Sequence, residues 1–119
     1  MNIDDKILEV VQKTLDDHKA EDIEVMDLRG KTSLASYMVI ASGTSSRQVS
    51  ALSEYVVQEL KKIKVKATTE GKANADWVLI DAMDVIVHIF KPEVRAYYNL
   101  EKMWKALLEA KPSDDKNKN

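Results

Sequence analysis

Between Asp76 and Phe90 the chain reads Asp-Trp-Val-Leu-Ile-Asp-Ala-Met-Asp-Val-Ile-Val-His-Ile-Phe. Two runs rich in Val, Ile and aromatic residues flank a short polar break, the signature of a β-hairpin. With Ala82-Met83 as a two-residue turn, Asp81 pairs with Asp84, Ile80 with Val85, Leu79 with Ile86, Val78 with Val87 and Trp77 with His88. Cross-strand partners share a face, so this register sorts the hairpin into two surfaces. Val78, Ile80, Val85, Val87 and Ile89 make an aliphatic face suited to a helix-covered core. Trp77, Leu79, Asp81, Asp84, Ile86, His88 and Phe90 make the other. Neither Ala82 nor Met83 favours the positive φ of tight hairpin turns, so a longer loop is the alternative. A slip of one residue would exchange the faces.

The second face mixes large apolar groups with two carboxylates and an imidazole. Two readings stand side by side: a binding patch with an apolar centre and a charged rim, or a face half covered by a further helix whose carboxylates merely mark the turn. On the first reading Trp77, Leu79 and Ile86 form the desolvated centre, where an aromatic anchor contributes ~2 kcal/mol or more. Asp81, Asp84 and Glu101 then meet Lys or Arg of a partner. Glu93 and Arg95 pair with the hairpin acids to order the patch, or serve structure alone.

The remainder of the chain supplies a frame for the hairpin. Ile3 to about His18 is an amphipathic helix with Ile7, Val11 and Leu15 on one stripe. Residues 23–28 alternate apolar with polar and read as a strand. Tyr37-Met38-Val39-Ile40-Ala41 is a strand covered on both faces or central in a sheet. Ser45, with Gln48 three residues on, has the form of a capping box and opens a helix buried through Val49, Leu52, Val56, Leu60 and Ile63. Tyr55 falls off that stripe. Residues 65–70 form a short strand near an edge, with residues 71–74 as the loop into the hairpin. Pro92 starts a C-terminal helical segment, which Asn99 divides by capping a second short helix. The order α-β-β-α-β-β-β-α gives an α/β (α+β) fold, a single mixed sheet of about five strands flanked by helices. One domain is expected over residues 1–110, and the polar stretch after it, residues 111–119, is expected to be disordered.

With 119 residues and no cysteine, the chain is long enough for a real core and has no disulfide, thiol nucleophile or Cys-based zinc site. No apolar run approaches a membrane span, and the acidic start is unlike a signal peptide, so a cytoplasmic protein is expected. Net charge is -2, against a partner recognised mainly through phosphates; little or no nucleic-acid contact is expected. Lys61, Lys62, Lys64 and Lys66 form the dense basic cluster and read as a solvated helix end. Gly43-Thr44-Ser45, between a strand and a helix, has the placement of a phosphate-binding turn, which motivates a nucleotide-binding or nucleotidyl-transferring alternative. No Asp-x-Asp pair follows it, and Asp81 and Asp84 are three apart. His88 has no evident nucleophile beside it. No catalytic residue, metal or cofactor is expected.

Several strings together resemble the ribosomal silencing factor family (RsfS, also called Iojap). They are residues 76–81 and 84–90, then Glu93-x-Arg95-x-Tyr97-Tyr98-x-Leu100-Glu101-x-x-Trp104. Upstream, Asp27-Leu28-Arg29, Tyr37 to Gly43, Ser46-Arg47-Gln48-Val49 and Glu70-Gly71 follow in the family's order. The resemblance runs from about Ile3 to Leu108. It implies a fold related to nucleotidyltransferases without their catalytic residues. It also implies binding to the fourteenth protein of the large ribosomal subunit and steric blocking of small-subunit joining, repressing translation in starvation or stationary phase. Trp77, Leu79, Asp81 and Asp84 are the leading contacts carried over, with Ile86 and His88 beside them. A homodimer through the same face is a further expectation. The chain departs from commoner family forms at Ser36, where an acid often precedes the tyrosine, and at Ala82-Met83, where a Tyr-Gly pair is frequent; the second bears on the aim of Asp81 and Asp84.

Overall fold

The computed structural model describes residues 2–71 and 76–109. The tail expected at residues 111–119, and residues 72–74 of the loop into the hairpin, lie outside the described residues. Four helices and five strands follow in chain order: α1 (Ile3–Asp17), β1 (Glu21–Asp27), β2 (Tyr37–Ser42), α2 (Ser46–Lys62), β3 (Thr68–Glu70), β4 (Trp77–Ala82), β5 (Val85–Phe90), α3 (Pro92–Tyr98) and α4 (Leu100–Glu109). The strands form one mixed sheet in the order β1-β2-β5-β4-β3. Only β2 and β5 run parallel; the other three pairings are antiparallel.

The α1 stripe of Ile7, Val11 and Leu15 packs with Val49, Leu52, Val56 and Leu60 of α2 over one sheet face. Beneath them lie Val39 and Ala41 of β2, Val78, Ile80 and Ala82 of β4, and Val85, Val87 and Ile89 of β5. This is the aliphatic hairpin face expected from the alternation. Each helix begins on a side-chain cap: Asn2 accepts the Asp5 N–H at 2.9 Å and Ser45 accepts the Gln48 N–H at 3.1 Å. Each ends by turning into a left-handed residue, Lys19 at φ 66° and Lys64 at φ 63°. The next amides reach back to Leu15 and Leu60, closing both ends in the Schellman manner.

The hairpin differs from the expected register in an instructive way. Ala82 pairs with Val85, Ile80 with Val87, Leu79 with His88 and Trp77 with Phe90, so the turn residues are Met83 and Asp84. Relative to the Ala82-Met83 turn the strands have slid by two residues. An even slide leaves every side chain on its face, whereas a slide of one would have inverted them. The physical reason is burial: Ala82 is fully buried and stays in the strand, while Met83 is 58% exposed and free to turn. Met83 takes φ 57°, the positive value that its side chain disfavours. Asp84 leaves the ladder, and its carbonyl accepts the N–H groups of Ser36 and Tyr37 at 2.7 and 3.2 Å.

Another boundary also moves. The strand expected at 65–70 shrinks to Thr68–Glu70 because Val65 is drawn into the core by the end of α2. The C-terminal segment divides at Asn99, which adopts φ 47° and caps α4 by accepting the Lys102 N–H at 3.3 Å, as its sequence position implies. Replacing Met83 by glycine removes the left-handed penalty without touching the core. Met83→Gly should raise unfolding free energy by about 0.5–1 kcal/mol in chemical denaturation, with an unchanged denaturant slope.

Candidate functional site

The second sheet face carries Met26 of β1, Met38 and Ile40 of β2, Ile86, His88 and Phe90 of β5, and Trp77, Leu79 and Asp81 of β4. Register with β3 adds Thr68 beside Asp81 and Glu70 beside Leu79. Helices cover this face only in part. Val94, Leu100, Trp104 and Leu108 pack onto a second core of Met26, Leu28, Ala35, Met38, Ile40 and Phe90, with Trp77 and Ile86 at its margin. Leu79 joins neither core, although it is only half-buried. Asp81, Asp84, Thr68 and Glu70 are exposed. The face is therefore half covered by helices, as the second reading expects, and half open.

Trp77 is fixed rather than free. Its indole N–H donates to His88 Nδ1 at 3.0 Å. Its ring lies 4.8 Å from that of Phe90 and 5.0 Å from that of Tyr98. His88 is 8% exposed, and burial lowers its pKa to about 4. It is therefore neutral at physiological pH, with Nδ1 unprotonated to accept from Trp77. Among the six candidate residues, then, Leu79, Asp81, Asp84 and Ile86 present surface, Trp77 presents an edge, and His88 sits beneath as the support of Trp77.

Of the two roles open to Arg95 and Glu93, the structural one holds. Arg95 does not reach the hairpin acids. Its guanidinium donates to both carboxylate oxygens of Glu101, at 2.7 and 3.0 Å, and to Ser42 Oγ at 2.8 Å. This pairing raises the Arg95 pKa and lowers that of Glu101. Glu101 is consequently spent inside the molecule and is no rim acid. Lys105 pairs with Glu24 at 2.9 Å, a second tie from α4 to β1. Glu93 pairs with Lys91 at 3.3 Å. Arg29 folds back onto Asp27, bidentate at 2.9 and 2.7 Å, and stands over the Tyr37 ring. That pairing draws the Asp27 carboxyl down to about 2. The polar members of these motifs hold the architecture together.

The phosphate-turn reading of Gly43-Thr44-Ser45 meets a local obstacle. Ser45 Oγ takes the Gln48 N–H, and Gln48 Oε1 takes the Thr44 N–H and hydroxyl at 2.6 and 2.7 Å. Two of the amides an anion would use at this helix start, those of Thr44 and Gln48, are thereby already engaged. Gly43 has a packing reason as well, since a Cβ there would lie 3.0 Å from Val49 Cγ2. Among the described residues no group of three or more His, Cys, Asp or Glu is placed to hold a metal ion, and no helix is long and apolar enough to cross a membrane.

Sequence reasoning missed Thr68 and Glu70, which only the pairing of β3 with β4 brings beside Asp81 and Leu79. It also missed Tyr98, whose place against Trp77 depends on the turn at Pro92. The one available signal was the alternation of Thr68 with Glu70, which puts them on one face of whatever strand they join.

What the fold and this face define is an α+β domain carrying a partly uncovered mixed sheet, apolar in the middle and acidic at its edge. The family model described as ribosomal silencing factor during starvation matches residues 2–119. A ribosomal silencing factor of Zymomonas mobilis is 50% identical over 99 residues, covering 82% of this chain and 74% of the relative. A crystal structure of a Chromobacterium violaceum protein superposes with a TM-score of 0.84 at 40% identity, covering 94% of this chain and 91% of that one. A mouse relative named for mitochondrial assembly of the ribosomal large subunit is 33% identical across 82% of this chain and 44% of its own length. The chain belongs to the ribosomal silencing factor family.

The burial of His88 makes stability depend on pH. His88 binds its proton near pH 6.5 when unfolded and near 4 when folded. Its neutral form supports the fold fully above pH 6.5, and that support is lost as pH falls toward 4. Denaturation from pH 7.5 to 4.5 should show the unaltered chain losing roughly 2–3 kcal/mol more than His88→Gln, which accepts from Trp77 without titrating.

Proposed function

We propose that this protein binds the large ribosomal subunit through the open half of its second sheet face and sterically obstructs joining of the small subunit, repressing translation when nutrients are short. The observation that carries this reading is Leu79 and Ile86, half-buried at the middle of a sheet that α4 leaves uncovered, with exposed Asp81, Asp84 and Glu70 around them. Leu79 and Ile86 supply area that gains from leaving water. The three acids set association rate and select a cationic surface. A basic ribosomal protein is the complementary partner, and family membership points to the fourteenth protein of the large subunit. Trp77, held by His88, Phe90 and Tyr98, gives that surface a rigid margin that loses little entropy on docking.

Such a factor acts by bulk and position, so no reaction is asked of it. Relatives of 50% and 43% identity are named ribosomal silencing factors, and on this reading the chain is a cytoplasmic regulator rather than an enzyme.

Sedimentation of purified subunits with the full chain tests the proposal. The unaltered protein should shift joined ribosomes toward free subunits. Asp81→Lys should weaken large-subunit binding by about tenfold or more, since it turns attraction into repulsion at the rim. Leu79→Ala should weaken it with only a small loss of fold stability, because Leu79 is half-buried and belongs to neither core. Unchanged subunit joining at large protein excess would sink the reading.

A further inference from the structure

The basic cluster is placed differently from a simple helix end. Lys61 and Lys62 lie in the last turn of α2, where cations complement the helix dipole. Lys62 is occupied there by Glu59 at 2.7 Å. Lys64 and Lys66 stand beyond the helix, and neither is in a strand, because β3 begins only at Thr68. The dipole therefore accounts for two of the four lysines.

Lys61, Lys64 and Lys66 instead surround a groove of about 540 Å³, whose other lining residues are Val57, Val65 and Ala67. All three lysines are exposed, and none has an ion-pair partner among the described residues. No carboxylate lines the groove. Val57, Val65 and Ala67 pack onto the α1–α2 core, so the groove lies on the helix-covered side of the sheet. The acidic patch around Asp81 is on the opposite face. A chain of net charge -2 thus separates its charge, with one acidic surface and one local basic one.

We propose that this groove is a second docking site, binding the phosphate backbone of RNA; resting on the ribosomal reading above, that RNA belongs to the large subunit. Three mobile ammonium groups on a rigid apolar base suit phosphates, which lysine meets as a point charge without demanding the planar geometry of a carboxylate pair. The contact carries no base readout, so it contributes affinity and orientation while the acidic face selects the protein partner. With both engaged, the body is fixed at two points on different sides of its sheet.

The test compares the full chain with Lys61→Gln/Lys64→Gln/Lys66→Gln and with a charge-matched control, Lys13→Gln/Lys31→Gln/Lys102→Gln. Affinity for isolated large subunits is measured across salt, and hydroxyl-radical footprints of the RNA backbone are taken. The groove variant should bind about tenfold or more weakly at low salt, with a salt slope smaller by roughly 2, and should lose a discrete stretch of backbone protection that the control keeps. Unchanged affinity and slope overturn the proposal. Weaker binding with an intact footprint also overturns it, assigning the lysines to an acidic protein segment. Failure of the unaltered chain to bind large subunits overturns the ribosomal reading, and this proposal with it.

Discussion

The parallel pairing of β2 with β5 sets the terms for everything else on the molecule. These two strands lie in the middle of the sheet, and their side chains are buried on both faces, from Val39 and Val87 on one side to Ile40 and Phe90 on the other. Both faces of the centre must therefore be roofed. On one side α1 and α2, of 15 and 17 residues, cover the hairpin as well as the centre. On the other only α3 and α4 are available, of 7 and 10 residues. A helix of ten residues is about 15 Å long and about 10 Å across, too little to cover five strands. The shortfall is taken at β4 and β3, and that is where Leu79 meets solvent.

Polar groups decide which half is left open. Arg95 clamps Glu101 and Ser42, and Lys105 reaches Glu24, so α4 is tied to the β1–β2 end of the sheet. The same ties that close one half expose the other. Trp77 marks the border between them: it stacks on Phe90, meets Tyr98 at a tilt and is anchored by His88, yet it is not sealed. An open face built this way is ordered by the protein's own core, and its exposed acids Asp81, Asp84 and Glu70 have no ion-pair partner among the described residues.

Much of this was legible before any coordinates. Alternation in residues 77–90 sorted the hairpin faces correctly even though the turn was misplaced, because the true register differs by an even slide. Asn99 as a break, Pro92 as a start and Ser45 with Gln48 as a cap could be read because each acts on its own neighbours. What failed depended on where elements meet in space. Arg95 finds Glu101 only because the chain turns at Asn99, and finds Ser42 across the sheet; nothing local buries His88 while leaving Leu79 in reach of solvent.

The sequence by itself determined the period-two alternation, the helix stripes and the caps, since these depend on residues within a turn or a strand of one another. From them follow the class of fold and the identity of the two hairpin faces. Tertiary structure alone decided which stretch of the second face stays open, and which lysines gather around a groove. Both outcomes depend on how far a short helix can reach across a wide sheet, a property of three-dimensional coverage that no spacing along the chain encodes.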